Sequence, residues 1–167
     1  MKVCFIGHRT IEKNEELISL LREMVVELIR KGVTTFLFGS KSVFNDVAWE
    51  VVTRLKDTYP YIKRVYVRAA YQHVSKSYEE YLLKLYEETY FPVKVENAGK
   101  SSYIKWNYEM IDKSTYCVFY YNEKYSPLVK RTSKGTMLLQ SRRNSGTKIA
   151  YEYAQRKKKK IINLYKE

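Results

Sequence analysis

The chain has 167 residues, of which 45% are hydrophobic and 29% charged, a composition typical of globular rather than disordered proteins. This length suffices for a sizeable hydrophobic core, and we expect one domain over residues 1–167. No apolar run approaches the roughly 20 residues that cross a bilayer, so no membrane segment is expected. The start of the chain leads directly into a predicted strand, and no signal peptide is visible.

The net charge of +13 is compatible with nucleic acid, an anionic surface or an anionic small molecule as the partner. Seventeen tyrosines stand against six phenylalanines, which fits stacking on bases but equally fits an AT-rich coding bias. Cys4 and Cys117 lie inside predicted strands. We expect buried thiols rather than a disulfide or a metal pair, which suggests a reducing, cytoplasmic setting.

Strand-like and helical patterns alternate along the first part of the chain. Apolar runs at residues 2–6, 33–38 and 64–68 predict strands, and helical spacing over 17–29 and 44–55 predicts the helices between them. Gly32 follows the first helix in the usual C-terminal manner. Linkers this short favour parallel strands joined by right-handed crossovers.

The second part of the chain is less regular. Helical patterns cover residues 78–85 and 103–111, and a polar passage separates them. Residues 115–121 predict a strand, and the final helix precedes a last strand over 160–165. Between these elements, residues 122–144 have little periodicity, and a loop this long in a compact domain is usually functional or mobile. Together the patterns predict an α/β protein with a mainly parallel sheet of about five strands.

The turn after the first strand carries Gly7, His8 and Arg9. Carboxyl ends of strands present ligand-binding groups in open α/β sheets. Gly7 permits a tight turn, and Arg9 is suited to a bidentate clamp on phosphate or carboxylate. His8 is either a proton donor or a hydrogen-bond partner. The alternative is a plain turn with two solvated side chains.

The turn after the second strand carries Gly39 and Ser40, followed by Asn45 and Asp46 in the next helix. Free amides and a hydroxyl here are suited to phosphate. Asp46 either accepts hydrogen bonds from ribose hydroxyls or only favours the helix N-terminus. These four residues are therefore candidate ligand contacts.

A third turn, Ser145-Gly146-Thr147, leads into the last helix. Amides in the first turn of a helix lack internal partners and bind anions, although Ser145 would also serve as an ordinary cap. Asn107 falls on the apolar face of its helix, where a polar group needs a partner such as a ligand or a strand end. The basic run at 156–160 resembles a nucleic-acid patch, but cations also stabilise a helix C-terminus.

Several familiar motifs are missing from the sequence. Neither the Walker pattern nor G-x-G-x-x-G occurs, so a conventional ATPase or dinucleotide site is not expected. His8 and His73 lie far apart without clustered partners, which gives no metal-ligand spacing. We therefore expect no metal and no cofactor other than a nucleotide-like ligand.

The opening segment, residues 4–9, resembles the C-x-(F/I)-(T/I)-G-H-R opening of the YpsA-like branch of the SLOG superfamily. That superfamily also includes the LOG phosphoribohydrolases and the DprA/Smf proteins, and similar chains occur in Firmicutes and their prophages. The resemblance covers nearly the whole chain and continues in residues 68–71, 86–90, 97–100, 103–114 and 145–154.

This resemblance implies a Rossmann-like, three-layer α/β/α fold with a nucleotide-derived ligand at the strand ends. The positions that match the superfamily's proposed ligand-binding residues are Gly7, Arg9, Gly39, Ser40, Ser145, Gly146 and Thr147, and Arg68 in the matching segment 68–71 is added to them. SLOG domains are proposed to sense or process nucleotides, including ADP-ribose derivatives made in antiviral signalling.

The chain departs from the superfamily's patterns at two places: the first weakens a carried-over phosphoribohydrolase activity, and the second implies a differently shaped second turn. LOG enzymes resemble P-G-G-x-G-T-x-x-E, whose glutamate serves N-glycosidic cleavage, and Ala150 stands at that position here. Glu152 lies two residues further on, on a different helical face. The YpsA-like branch also usually has a glycine before the aspartate of the second turn, where this chain has Asn45.

Three functions remain, and the leading one is binding of a nucleotide or ADP-ribose-like molecule by a sensor or sequestering protein, in a host or a prophage. The second is cleavage or transfer at an N-glycosidic bond, with His8, Asp46 or Glu152 as acid or base. The third is nucleic-acid binding, prompted by the charge and the kinship to DprA. The tyrosine-rich segment 78–90 fits either a homo-oligomer interface or a core helix.

Overall fold

The computed structural model of the chain describes residues 1–39, 42–69, 73–95, 102–125 and 145–166. Over these residues the chain forms six strands, five α-helices and one short 3-10 helix at Val93–Val95. The strands are β1 (Lys2–Gly7), β2 (Thr35–Phe38), β3 (Lys63–Val67), β4 (Glu88–Tyr90), β5 (Tyr116–Tyr120) and β6 (Lys160–Asn163). The α-helices are α1 (Glu15–Arg30), α2 (Val43–Leu55), α3 (Lys76–Leu85), α4 (Ser102–Lys113) and α5 (Gly146–Arg156).

The six strands pair in parallel in the order β4-β3-β2-β1-β5-β6. This confirms the α/β class and the Rossmann-like architecture, with one strand more than expected. The additional strand, β4, has only three residues and pairs with β3 alone, so it is too short for a periodic pattern. The strand order reverses between β1 and β5, which is where open α/β sheets place a ligand crevice.

Side chains of the central strands alternate between two apolar layers, as strand geometry requires. Val3 and Phe5 of β1 pack in the layer formed by α1 and α2, whereas Cys4 and Ile6 pack in the layer formed by α4 and α5. Cys4 and Cys117 are neighbours in the β1–β5 register, and both are buried free thiols, as predicted. The helices therefore cover both faces of the sheet and leave its carboxyl edge for the connecting turns.

Local signals place the helix ends. Asn14 caps α1 by accepting a hydrogen bond from the backbone N–H of Leu17 at 2.9 Å. Gly32 follows α1 with a φ of 90°, the left-handed conformation that glycine adopts most easily, which confirms its predicted role. Among the helices of the described residues, none combines the length and apolar character needed to cross a membrane.

Candidate functional site

The carboxyl edge of the sheet collects most of the predicted site residues. β1 ends at Gly7, and Gly39 and Arg68 directly follow β2 and β3. Because all described strands run in parallel, these residues lie along one edge. Ser40 lies outside the described residues.

His8 is a buried contact between β1 and the turn that follows β5. Only 2% of its surface is exposed, and its ring stacks on Tyr125 at a centroid separation of 3.8 Å. Its Nε2 lies 2.9 Å from the backbone nitrogen of Asn122 and 3.2 Å from the carbonyl oxygen of the same residue, and the ring tautomer decides whether Nε2 accepts from the first or donates to the second. Among the described residues, the buried Nδ1 has no hydrogen-bond partner. His8 therefore joins the ends of β1 and β5 rather than standing open to solvent.

The environment of His8 predicts a pH dependence of stability. Burial lowers the pKa of His8 from its usual 6.5, although the hydrogen bond with Asn122 acts in the opposite direction. Folding therefore favours the neutral ring, and its contribution to stability is complete above pH 6.5 and declines as the pH falls below that value. We expect the urea midpoint to drop between about pH 7.5 and about pH 5, and His8→Asn to reduce this slope.

The other histidine of the chain provides the control. His73 is exposed, and His73→Asn should leave the pH slope unchanged. An equal slope in the wild type and in His8→Asn would show that His8 does not drive the dependence.

Gly7 and Arg9 have different environments. A Cβ on Gly7 would lie 2.6 Å from Cβ of Phe44, so glycine is required here for the packing of α2 against β1. The Arg9 carbonyl accepts a hydrogen bond from the backbone N–H of Val43 at 3.0 Å, whereas its side chain is exposed. No salt bridge within the described residues engages Arg9. Its guanidinium is thus free for an anion.

Asn45 connects β1 to the end of β2. Its Nδ2 donates to the Phe5 carbonyl at 2.8 Å, and its Oδ1 accepts from the Gly39 N–H at 3.2 Å. The residue is only 4% exposed. Both ends of its amide are therefore engaged by the backbone of the sheet.

Asp46, the next residue, faces a cavity of about 500 Å³ that we call the acidic cleft. Partial desolvation and then the nearby Glu50 carboxylate raise the pKa of Asp46, while Lys13 opposes this shift. Glu50 itself is held by Lys13 at 2.9 Å. The cleft is lined by Gly39, Asn45, Asp46, Trp49, Glu50, Tyr66, Leu85 and Tyr86.

Arg68 faces a second cavity, of about 410 Å³, that we call the aromatic cleft. Its Nε is buried and has no partner among the described residues. The four aromatic rings of the cleft come from β3, α3 and α4. The cleft is lined by Gly39, Tyr66, Arg68, Ala69, His73, Val74, Ser75, Tyr78, Tyr103 and Trp106.

The start of α5 has an ordinary serine N-cap, which was the predicted alternative to an anion site. Ser145 Oγ accepts a hydrogen bond from the Lys148 N–H at 3.1 Å, and Thr147 is buried. Gly146 is exposed, with no atom within 4 Å of where its Cβ would be. Glu152 is half-buried further along α5, and its charge acts on Tyr121.

Asn107 and the basic run at 156–160 differ in how far the fold engages their polar groups. Asn107 is half-buried on α4, and its Oδ1 is buried without a partner among the described residues. The basic run after α5 is partly committed to the fold: Lys159 Nζ donates to the carbonyls of Asp112 and Ser114 at 2.9 and 2.8 Å. Lys159 therefore has a structural role, at the C-terminal end of α4 rather than of its own helix.

The structure brings four of the predicted ligand residues together, Gly39, Asn45, Asp46 and Arg68, and leaves His8 apart from them. Gly39, Asp46 and Arg68 line the two clefts, which share Gly39 and Tyr66 in their walls. His8 instead contacts the turn after β5. No cluster of residues that could hold a metal ion occurs in the part of the chain that the structure describes.

The fold is similar to that of DNA processing protein A from Helicobacter pylori, in a structure concerned with its single-stranded DNA binding mode. The TM-score is 0.55 at 15% sequence identity, and the alignment covers 100% of this chain and 66% of that one. The two proteins share a Rossmann-like fold. At this identity the likeness shows the fold alone, and this chain spans about two thirds of its neighbour's length. No protein-family model and no curated protein matches the sequence.

Sequence reasoning missed the walls of the aromatic cleft and the partners of His8. Tyr66, Tyr78 and Tyr103 lie on three different elements, and Asn122 is 114 residues from His8. The one available signal was the excess of tyrosine, which composition alone cannot assign to a site.

Proposed function

We propose that the protein binds a phosphate-bearing nucleotide derivative, up to the size of ADP-ribose, at the carboxyl edge of its sheet. The observation that carries this proposal is the pair of clefts that share Gly39 and Tyr66 at the ends of β2 and β3. Their volumes of about 410 and 500 Å³ lie within the range of small-molecule sites. The role is that of a sensor or sequestering protein, in a host or a prophage.

The charged residues of the two clefts suit different parts of such a ligand. Arg68 in the aromatic cleft forms no salt bridge with a described acid, so its guanidinium can hold a phosphate. Asp46 in the acidic cleft is an exposed carboxylate that can accept hydrogen bonds from sugar hydroxyls. Binding rather than turnover is favoured because Ala150 replaces the LOG glutamate and His8 is buried.

Calorimetry with AMP, NAD, ADP-ribose and cyclic ADP-ribose isomers tests the proposal. We expect one of them to bind in the submicromolar to micromolar range, and Arg68→Gln to weaken it by about 10-fold or more. Arg54→Gln, an exposed arginine in the last turn of α2 that lines neither cleft, is the matched control. Silence across the whole panel would contradict the proposal.

Single-stranded nucleic acid is a second candidate ligand. It is favoured by the fold shared with DNA processing protein A, whose structure concerns single-stranded DNA binding, and by the net charge of +13. Anisotropy of a labelled oligo-dT should then show submicromolar affinity that falls steeply with salt. Binding that disappears at roughly 0.15 M salt would be nonspecific attraction.

A further inference from the structure

We propose that the aromatic cleft is a nucleobase pocket, in which the planar base stacks on the exposed rings of Tyr78 and Tyr103. The inference rests on the proposed function and adds which part of the ligand the cleft recognises. It predicts that the ligand must carry an aromatic base, so a phosphosugar alone is a poor ligand.

The two rings expose apolar area inside a concave site. Tyr78 is 43% exposed and Tyr103 is 60% exposed, although both line the cleft. Large aromatic side chains are stabilised by burial, so two open rings on one cavity offer area for a flat ligand. Stacking on such rings is how proteins bind bases without reading their hydrogen-bonding edges.

Tyr103 packs against Trp106, which is bonded to the end of β3. Trp106 Nε1 donates to the Val67 carbonyl at 3.0 Å, which ties α4 to the end of β3. The rings of Tyr103 and Trp106 meet edge to face at 6.0 Å and 69°. Tyr66 forms part of the wall, and the nearby phenols of Tyr78 and Tyr103 add to the effect of burial in raising the pKa of Tyr66.

Arg68 supplies a positive charge, which the base does not require but the phosphate of a nucleotide does. A nucleotide combines a flat ring with an anion, and this cleft combines open rings with a guanidinium. The acidic cleft is instead lined by the carboxylates of Asp46 and Glu50, which would repel a phosphate. The same base-and-phosphate chemistry is present in a free nucleotide and in a single strand, so the test includes both.

Tryptophan fluorescence provides a direct test. The chain has two tryptophans, and Trp49→Phe leaves Trp106 in the cleft wall as the only reporter. In that background we expect AMP to quench the fluorescence and to bind at least about 5-fold tighter than ribose 5-phosphate. Tyr78→Ala and Tyr103→Ala should each weaken AMP by about 5- to 100-fold, with little effect on ribose 5-phosphate.

Tyr78→Phe and Tyr103→Phe should instead retain AMP affinity, because stacking needs the ring and not the hydroxyl. Tyr61→Ala is the matched control, since Tyr61 is 58% exposed but lies before β3, at the opposite edge of the sheet. If AMP does not bind but the same two alanine variants weaken the binding of a dT oligonucleotide, the pocket is also supported. The natural ligand is then a single strand rather than a free nucleotide. Equal affinities for AMP and ribose 5-phosphate would overturn the base pocket while leaving the proposed function intact. Absence of binding by AMP, ribose 5-phosphate and the oligonucleotide, with the calorimetry panel also silent, would overturn both.

Discussion

Replacing Asn45 with alanine is expected to lower the free energy of unfolding by about 2–4 kcal/mol, because two buried backbone groups lose their partner together. The Phe5 carbonyl and the Gly39 N–H each bond to the Asn45 amide, at 2.8 and 3.2 Å. Asn45 is 4% exposed, so water cannot readily replace the amide. Urea unfolding monitored by far-UV circular dichroism measures the loss.

Asn107→Ala is the matched control for this experiment. Its Oδ1 has no partner among the described residues, so its removal should change the free energy of unfolding by no more than about 0.5 kcal/mol. If Asn107 contacts the ligand, as the sequence predicts, the loss appears in affinity instead. Equal destabilisation by the two substitutions would contradict the role of Asn45 as a link between strands.

Asn45 and Asp46 show why adjacent candidates could not be separated from the sequence. Both follow the second turn, and both have side chains suited to a ligand. Successive residues on a helix differ in direction by about 100°, so the Asn45 amide bonds to the backbone of the sheet while Asp46 is exposed at the cleft. Which of them meets a backbone carbonyl depends on Phe5, 40 residues away, and no local pattern contains that information.

The elements themselves were predictable because their patterns are local. The helical spacing of α1 reflects its one buried face. The apolar runs of β1 and β5 reflect strands that are buried on both faces. Short connections between them require parallel crossovers, and from this the sheet follows. β4 was missed because it has only three residues, too few for a periodic pattern, and pairs only along one edge.

The clefts were less predictable than the turns that border them. Glycine and charged residues at strand ends indicate where a ligand site lies in an open α/β sheet, and Gly39, Asp46 and Arg68 do line cavities. The aromatic walls come from α3 and α4, whose placement over the edge depends on long-range packing. The sequence thus located the edge of the sheet but could not specify the shape of the site.

Gly39→Ala is expected to lower the free energy of unfolding by about 1–3 kcal/mol through overpacking. The new Cβ would lie 2.3 Å from Trp106 Cζ2 and 2.8 Å from the Val67 carbonyl oxygen. Trp106 cannot retreat freely, because its Nε1 is bonded to that same carbonyl at 3.0 Å. A shift of Trp106 would also reshape the aromatic cleft, so ligand affinity and tryptophan fluorescence should change with stability.

Gly146→Ala separates this steric effect from a loss of ligand contact. Gly146 begins α5, and nothing lies within 4 Å of its added Cβ, so alanine should leave stability unchanged or raise it by up to about 1 kcal/mol. If a ligand approaches the backbone at Gly146, affinity falls while stability does not. A destabilisation of Gly146→Ala as large as that of Gly39→Ala would contradict the open position of Gly146. An unaffected Gly39→Ala would show that Trp106 can move away from β2, and that the wall of the aromatic cleft is adjustable.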